Sequence, residues 1–424
     1  MIDINRIREN KEQVREALLK RMEDVNFDEL LNWDKMKKEL SIKIDELRAK
    51  RNKVSSDVPR IKKENGDIEA LFKEMEMLRE EINAGTVKIK ELEEKIKNFL
   101  DCLPNIPDDD VVAGDKEQNE VISTYLEKPT FNFKAKDHVE LCKNLHLIDY
   151  ERGVKLSGNG SWIYTGMGAR LEWAVLNYLI DTHIEDNYQF VLPPHMLNYE
   201  CGYTAGQFPK FNEDVYWIDG GFDTKSKFLL PTAETALVNL HRDETLSIDC
   251  LPKKYFAYTP CYRREAGSSR VEERGMIRGH QFNKVELVQY TTEETSGLAF
   301  EELVHKVETL VQNLGLHYQL TKLAAGDVSG GMCRTYDLEV WIPSMGIYKE
   351  VSSISNSRDY QARRGNMKYK DPVTGKNKYL HTLNASGLAT SRLIPAILEQ
   401  YQQEDGSVKV PDVLKPYLKV DYIK

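Results

Sequence analysis

Apolar side chains recur at alternating steps of three and four residues in one long stretch of the chain. The series is Ile68, Leu71, Met75, Leu78, Ile82, Ile89, Leu92, Ile96, Phe99 and Leu103, with Gly85 at the single missing position. A seam sustained over about five heptads restricts this stretch to a long helix that needs a partner helix.

A second apolar series precedes the first and is its natural partner. It comprises Trp33, Leu40, Ile44, Leu47, Val54 and Ile61, with polar interruptions at Lys37 and Arg51. Helix-breaking residues separate the two series at Asp57-Val58-Pro59 and at Asn65-Gly66-Asp67, where the chain can reverse. We therefore predict an antiparallel helical hairpin, a coiled-coil arm over residues 1–105 that is about 45 Å long at 1.5 Å per residue.

The predicted tip of this hairpin is basic. Between residues 50 and 63, six basic side chains accompany only Asp57, a local net charge of +5; they are Lys50, Arg51, Lys53, Arg60, Lys62 and Lys63. The whole chain has 59 basic and 68 acidic residues, so RNA could bind only through a local patch of this kind. A solvated helix face explains the same charges, and most such hairpins are spacers or dimer contacts.

The arm is too short to account for a chain of 424 residues, and a length of this order predicts two or three domains. Prolines at 104 and 107 and an acidic, aperiodic run predict a linker over residues 106–125, followed by a second domain over 126–424. The six scattered cysteines form no CxxC pair, which predicts reduced thiols in a cytoplasmic protein. We expect no signal sequence and no membrane span.

Two predicted strands between Tyr255 and Tyr290 bring unusual side chains onto one face. Alternation places Phe282, Lys284 and Glu286 on one side of the second strand, and Arg263 and Glu265 share a side after the first. An aromatic ring among charges of both signs is suited to a binding site for a flat base, phosphates and an ammonium group. The alternative is a charged hairpin without a ligand.

Several phrases in this region resemble motif 2 of the class II aminoacyl-tRNA synthetases, and most closely the seryl-tRNA synthetase family. They are Arg263-Arg264-Glu265-Ala266-Gly267-Ser268, Arg274-Gly275-Met276-Ile277-Arg278 and His280-Gln281-Phe282. Residues 170–197 resemble motif 1 and residues 380–400 resemble motif 3. The resemblance implies an α+β fold: the coiled-coil arm plus a class II catalytic domain built on an antiparallel β-sheet flanked by helices. It also implies a homodimer formed through motif 1.

The resemblance assigns a serine site. Thr232, Ala233 and Glu234 would hold serine, together with Glu286, Asn384 and Ser386. If the strand before Pro231 continues, Thr232 and Glu234 face the same way, and a carboxylate beside a hydroxyl suits an ammonium group and a small polar side chain. A capping box opening the next helix fits the same residues.

The resemblance also assigns an ATP site. Its residues are Arg263, Arg264, Glu265, Gly279, Phe282, Glu350, Val351, Ser352, Ser353 and Arg392. Arg263 and Arg392 would be catalytic, with Arg263 on the α-phosphate and Arg392 over the adenine opposite Phe282. Glu350 and Ser353 offer oxygen ligands for Mg²⁺.

The implied activity is ATP-dependent formation of seryl-adenylate, followed by transfer of serine to tRNA(Ser), and by extension to tRNA(Sec). The basic tip of the arm would bind the tRNA. The sequence departs from the family in the loop Arg270-Val271-Glu272-Glu273, where a Gly-Arg-Asp-Thr phrase is expected, and at Gly279 and Ala385. Two alternatives therefore stay open, a paralogue that acylates a carrier protein or a small molecule, and a non-catalytic tRNA-binding regulator. A purely structural coiled-coil protein would account only for residues 1–105.

Overall fold

The computed structural model describes residues 1–63, 67–218, 225–265 and 275–424. These residues form two compact units. The arm unit comprises Ile2–Glu16 and Glu23–Leu103, and the catalytic unit comprises Met1, Ala17–Met22 and Pro104–Lys424. The motif 2 loop departure at residues 270–273 lies outside the described residues. No helix in the described ranges is long and apolar enough to cross a membrane.

The arm unit is helical, as its apolar periodicity predicts. Its helices are α1 (Ile4–Glu9), α2 (Lys11–Leu18), α3 (Asp28–Lys63) and α4 (Ile68–Cys102). The contacts between α3 and α4 run in opposite directions along the chain: Trp33 meets Phe99 with ring centroids 6.3 Å apart, and Lys50 pairs with Glu74 at 2.9 Å. This order of contacts confirms the antiparallel hairpin.

The predicted break at Asp57-Val58-Pro59 is wrong, because α3 continues through Pro59 to Lys63. Proline removes one hydrogen bond of the helix, to the carbonyl four residues earlier, near the end of a 36-residue helix. The apolar seam continues past it, with Val54 buried and Ile61 half-buried. The helix is therefore longer than predicted, about 54 Å at 1.5 Å per residue.

Gly85 occupies the gap in the heptad series, and the Ile44 side chain of the partner helix packs against it. A Cβ atom at this position would lie 2.8 Å from Cδ1 of Ile44. The Ile44 side chain thus takes the space of the missing apolar residue, and the seam continues through Gly85.

The catalytic unit is built on an eight-stranded sheet with the order β1-β10-β11-β12-β15-β9-β8-β4. All its neighbouring strands are antiparallel except β4 and β8. Its strands are β1 (Glu120–Tyr125), β4 (Gln189–Phe190), β8 (Lys253–Tyr262), β9 (Gln281–Thr291), β10 (Tyr318–Lys322), β11 (Arg334–Ile342), β12 (Ile347–Arg358) and β15 (His381–Ala389). The edge strand β1 occupies the end of the segment predicted as a linker.

Shorter strands form four small sheets. They are β2 (Ile148–Asp149) with β3 (Ile163–Tyr164), β5 (Met196–Asn198) with β6 (Lys227–Leu229), β7 (Thr245–Ser247) with β13 (Lys368–Lys370) and β14 (Asn377–Tyr379), and β16 (Val408–Lys409) with β17 (Tyr422–Ile423). The helices of this unit are α5 (His138–Asn144), α6 (Tyr150–Ser157), α7 (Gly166–Glu185), α8 (Tyr199–Thr204), α9 (Glu234–Leu237), α10 (Ser296–Asn313), α11 (Tyr360–Arg364), α12 (Thr390–Gln400) and α13 (Lys415–Leu418).

The two faces of the central strands have different roles. On one face, Val285 and Leu287 of β9 and Ala385 of β15 join a core shared with α7, α10 and α12. On the other face, Glu286 and Ser386 lie directly opposite each other in the strand register. Because successive side chains point to opposite faces, the apolar core and the polar surface follow from the same two strands. The predicted α+β fold with a helical arm is confirmed.

Candidate functional site

An open cavity of about 570 Å³ lies against the polar face of the central strands. Ten of the predicted site residues line it: Thr232, Glu234, Arg263, Glu265, Glu286, Glu350, Ser353, Asn384, Ser386 and Arg392. They come from five stretches of chain more than a hundred residues apart at their extremes, and the fold brings the predicted motif 2 and motif 3 regions to one place.

The remaining predicted residues of the serine and ATP sites do not line the cavity. Ala233, Val351 and Ser352 are buried beneath its surface, and the Ser352 hydroxyl donates to the carbonyl of Ser386 at 2.5 Å. The Arg264 side chain is exposed. The Phe282 ring is half-buried, with the guanidinium carbon of Arg263 5.2 Å from its centroid.

One end of the cavity holds a network of buried polar side chains around Glu286. Asn384 Nδ2 donates to Glu286 Oε1 at 3.2 Å, and Ser386 Oγ donates to Oε2 at 3.3 Å. Lys284 forms an ion pair with the same carboxylate and donates to Ser386 Oγ at 3.2 Å. Our site prediction omitted Lys284, although strand alternation already placed it on the face of Phe282 and Glu286.

Thr232 and Glu234 also lie at this end, but the expected continuation of the strand is wrong. The strand β6 ends at Leu229, and Glu234 begins the short helix α9. The main-chain N–H of Glu234 donates to Thr232 Oγ1 at 3.2 Å. This bond forms a turn at the start of the helix, which is close to the alternative that these residues cap the next helix. Both side chains line the cavity because of this turn, and not because of period-two alternation.

The environment of the Glu234 carboxyl group moves its titration close to neutral pH. Burial, together with the negative charge of Glu286, raises the pKa of Glu234 to about 7. Gln361 Nε2 donates to Glu234 Oε1 at 2.8 Å and to the carbonyl of Ala205 at 3.0 Å, which fixes the carboxyl group in place. Gln361 was not predicted as a site residue, because α11 is remote in sequence.

Two arginines and a carboxylate occupy the other end of the cavity. Arg392, in the first turn of α12, donates through Nη1 to the carbonyl of Glu350 at 2.9 Å and to Glu350 Oε2 at 3.2 Å. Arg263 Nε donates to the carbonyl of Pro231 at 3.3 Å. Burial opposes ionisation of Glu350, but the charges of Arg392, Arg263 and Lys284 outweigh it and lower its pKa.

A second carboxylate, which the sequence analysis missed, faces the same end. Asp337 lies opposite Ser353 in the register of β11 and β12 and lines the cavity with Glu350. Its buried Oδ1 atom has no hydrogen-bond partner among the described residues. Burial and the charge of Glu350 raise the pKa of Asp337 well above its usual value. Two carboxylates and a hydroxyl of this kind are the hard oxygen donors that Mg²⁺ prefers.

Two departures from the family pattern have structural explanations. A Cβ atom at Gly279 would lie 2.2 Å from Cζ3 of Trp162, so the indole occupies the space that a larger residue would need. Ala385 is fully buried on the core face of β15, between two cavity-lining neighbours that point the other way.

Glu265 has a positive φ of +54°, and its carboxylate accepts a hydrogen bond from Arg278 Nη1 at 2.5 Å.

The basic residues predicted for tRNA binding lie at the end of α3 in the arm unit. Five of them are exposed, namely Lys50, Lys53, Arg60, Lys62 and Lys63, and Arg51 is half-buried. Two have acidic neighbours: Lys50 pairs with Glu74 at 2.9 Å, and Arg60 pairs with Asp57 at 3.1 Å. Lys53, Lys62 and Lys63 are solvated cations on the last three turns of the helix.

Two family profiles match the chain. The seryl-tRNA synthetase N-terminal domain matches residues 1–107, and the tRNA synthetase class II core domain (G, H, P, S and T) matches residues 216–401. Serine–tRNA ligase 2 of Clostridium acetobutylicum is 56% identical over 99% of this chain and 100% of its own length. The serine–tRNA ligase of Thermodesulfovibrio yellowstonii is 43% identical over the whole of both chains.

Solved structures agree with these relatives. The seryl-tRNA synthetase of Pyrococcus horikoshii complexed with ATP superposes with a TM-score of 0.92 at 32% identity, covering 100% of this chain and 99% of that one. The cytoplasmic serine–tRNA ligase of Naegleria fowleri in complex with AMP gives a TM-score of 0.87 at 27% identity, with the same coverage.

Proposed function

The chain belongs to the seryl-tRNA synthetase family, and from this premise we propose that its cavity joins serine to ATP and that its arm presents tRNA to the product. The serine carboxylate attacks the α-phosphorus of ATP and pyrophosphate leaves. The 3′-terminal ribose hydroxyl of tRNA(Ser), and by extension tRNA(Sec), then attacks the carbonyl carbon of seryl-adenylate, and AMP leaves. The convergence of a carboxylate-rich end and an arginine-rich end in one cavity carries this proposal.

Serine occupies the end of the cavity that contains Glu234 and Glu286. Its ammonium group lies between the two carboxylates, and its hydroxyl meets Thr232, Asn384 or Ser386, each of which exposes a polar atom to the cavity. Ala233 forms the buried floor beside Thr232. Lys284 holds Glu286 and Ser386 in place through its ion pair and hydrogen bond.

Serine binding is expected to weaken as the pH falls through 7. Glu234 has a pKa raised to about 7, so the carboxylate that attracts the ammonium group is mostly ionised at pH 8 and mostly protonated at pH 6. We expect KM for serine in pyrophosphate exchange to rise about tenfold over this range. The variant Glu234→Gln should have a high KM with little pH dependence. An unchanged pH profile in that variant would contradict the role of Glu234.

ATP occupies the other end. Arg263 neutralises charge developing on the α-phosphate, and Arg392 contacts the far phosphate and covers the adenine ring opposite Phe282. Glu265 accepts a hydrogen bond from the adenine amino group, and the main chain at Gly279, which packs against Trp162, lies near the base. Arg264 contributes a further positive charge at the rim. Val351 and Ser352 support this end from beneath, since both are buried under the cavity.

The donors at this end suit Mg²⁺. Glu350 and Ser353 would hold the ion, and the unpartnered Oδ1 atom of Asp337 is a further oxygen donor close by. A divalent cation there would neutralise phosphate charge and orient the pyrophosphate leaving group. Arg392 keeps Glu350 ionised, which is the form that a cation requires.

The arm binds tRNA through its basic tip. We expect the triple variant K53A/K62A/K63A to lower kcat/KM for tRNA at least tenfold and to reduce the salt dependence of binding by about 3 in log–log slope. Pyrophosphate exchange should not change, because the arm holds no cavity residue. The matched control is K35A/K88A/K90A, which removes three exposed lysines elsewhere on α3 and α4. Equal losses in both variants would contradict a tip-specific contact.

The motif 1 region offers a surface for a homodimer. Trp173, Leu192 and Met196 are 52%, 73% and 57% exposed, an unusual concentration of large apolar side chains on one short stretch. We propose that a second copy covers them, and that the protein acts in the cytoplasm, where its substrates are available.

Charging of total tRNA tests this function against its alternatives. With serine and ATP, the protein should acylate the serine fraction of total tRNA and should exchange pyrophosphate. A paralogue that acylates a carrier protein or a small molecule would show exchange without acylation of tRNA. A non-catalytic regulator would bind tRNA and show neither activity.

A further inference from the structure

A half-buried arginine that does not line the cavity is hydrogen-bonded to one loop of the cavity wall. Arg21 lies in the segment Ala17–Met22 of the catalytic unit, and its guanidinium donates hydrogen bonds to four main-chain carbonyl oxygens. Nη1 donates to Met332 at 2.8 Å and to Asn105 at 3.1 Å. Nη2 donates to Ser329 at 3.0 Å and also to Val328. Burial lowers the pKa of Arg21 to about 10.

Asn105 completes the attachment of this loop. Its main-chain N–H donates to the carbonyl of Gly330 at 2.7 Å, and its Nδ2 donates to the carbonyl of Gly331 at 3.0 Å. Arg21 and Asn105 together therefore bind all five carbonyl groups of residues 328–332, hereafter the wall loop. A loop with two consecutive glycines has little rigidity of its own, so these bonds restrain its conformation, together with one from Ser357 Oγ to the carbonyl of Gly331 at 2.9 Å.

The other side of the wall loop faces the cavity. Ser329, Gly330, Gly331 and Met332 all line it. The loop packs on Gly206, where a Cβ atom would lie 3.4 Å from Cα of Gly331. Ala205 precedes Gly206, and Gln361 Nε2 donates both to the carbonyl of Ala205 and to Glu234 Oε1. The wall loop therefore lies on the same side of the cavity as Glu234.

We infer that Arg21 is a positioning residue that sets the size of the amino-acid subsite by holding the wall loop against Gly206. This inference rests on the proposed function, because it presumes that serine binds beside Glu234. The guanidinium binds the carbonyls of the wall loop and does not line the cavity. Its loss would leave the carbonyls of Val328 and Met332 without this donor and the Ser329 carbonyl with only the Met332 N–H, so the loop could move away from the subsite.

The test compares Arg21→Ala with Arg21→Lys and with Lys20→Ala. Lys20 is a matched control, since it is the adjacent cation and also binds two carbonyls, those of Asp109 and Val111, both at 2.9 Å. Neither acceptor lines the cavity. Steady-state pyrophosphate exchange gives KM for serine and for ATP separately, and threonine serves as a probe with one extra methyl group.

We expect Arg21→Ala to raise KM for serine at least tenfold while KM for ATP changes less than about twofold, and to raise activation of threonine relative to serine several-fold. Arg21→Lys should restore part of the loss, because an ammonium group can donate to three carbonyls. Lys20→Ala should match the wild type. Thermal unfolding establishes that each variant is folded.

A parallel rise of both KM values, or a loss of thermal stability with unchanged KM and unchanged discrimination, would overturn the inference. If Arg21→Ala does not fold, Arg21→Lys and Asn105→Ala carry the test, and both should shift KM for serine in the same direction by a smaller amount. Absence of serine-dependent exchange in the wild type would instead overturn the proposed function, so the two failures are distinguishable.

Discussion

Replacement of Arg263 by alanine is expected to lower kcat/KM for pyrophosphate exchange by at least about 100-fold, or roughly 3 kcal/mol. Arg263 lines the cavity, and its guanidinium is held by the carbonyl of Pro231 and by the ring of Phe282. A preorganised cation in a site partly shielded from water stabilises developing phosphate charge far more than a mobile one does. Its loss should therefore reduce kcat as well as kcat/KM.

A matched control separates this effect from a general loss of one arginine. Arg363 of α11 likewise lies over an aromatic ring, with its guanidinium carbon 4.4 Å from the centroid of Tyr379, and it makes an ion pair with Asp359 at 2.7 Å. It does not line the cavity. Arg363→Ala should exchange pyrophosphate nearly as the wild type does. Near-wild-type exchange by Arg263→Ala would refute the role assigned to Arg263.

Replacement of Glu350 by glutamine is the second change with a large expected effect. The amide keeps the shape of the side chain but removes the charge that a divalent cation needs. We expect exchange at about 1 mM Mg²⁺ to fall by roughly 100-fold, with partial recovery as the Mg²⁺ concentration is raised. The measurement is a Mg²⁺ titration of the exchange rate for wild type and variant.

The control for this change is a glutamate on the adjacent strand β11. Glu339 is the register partner of Glu350, and its Oε2 accepts from Thr321 and from Gln319, both at 2.7 Å. It does not line the cavity. Glu339→Gln should leave the Mg²⁺ titration where the wild type has it. If the Mg²⁺ concentration at half-maximal exchange in Glu350→Gln also equals that of the wild type, Glu350 does not bind the cation.

Local periodicity explains the parts of the fold that the sequence predicted correctly. The heptad series predicted α4, and period-two alternation placed Lys284 and Glu286 of β9 on the polar face. Both patterns depend only on neighbours along the chain. Pro59 shows the limit of such signals, because the tertiary packing of α3 on α4 outweighs a local helix breaker.

Three of the residues that the sequence did not predict, Asp337, Gln361 and Arg21, depend on long-range contacts. Asp337 joins the cavity through its register with Ser353, and Gln361 joins it by reaching Glu234 from α11. Arg21 acts on a loop 311 residues away at Met332. Thr232 and Glu234 were assigned by resemblance and do line the cavity, but the turn that places them there differs from the strand that alternation predicted.

Pyrophosphate exchange with a panel of amino acids tests the central claim most directly, because it requires the two ends of the cavity to act together and needs no tRNA. The panel contains serine, threonine, alanine, glycine and proline, each with ATP and Mg²⁺. The structure predicts rapid exchange with serine and at least about 100-fold less with each of the others. Exchange that does not depend on serine, or that another amino acid supports better, would contradict the account.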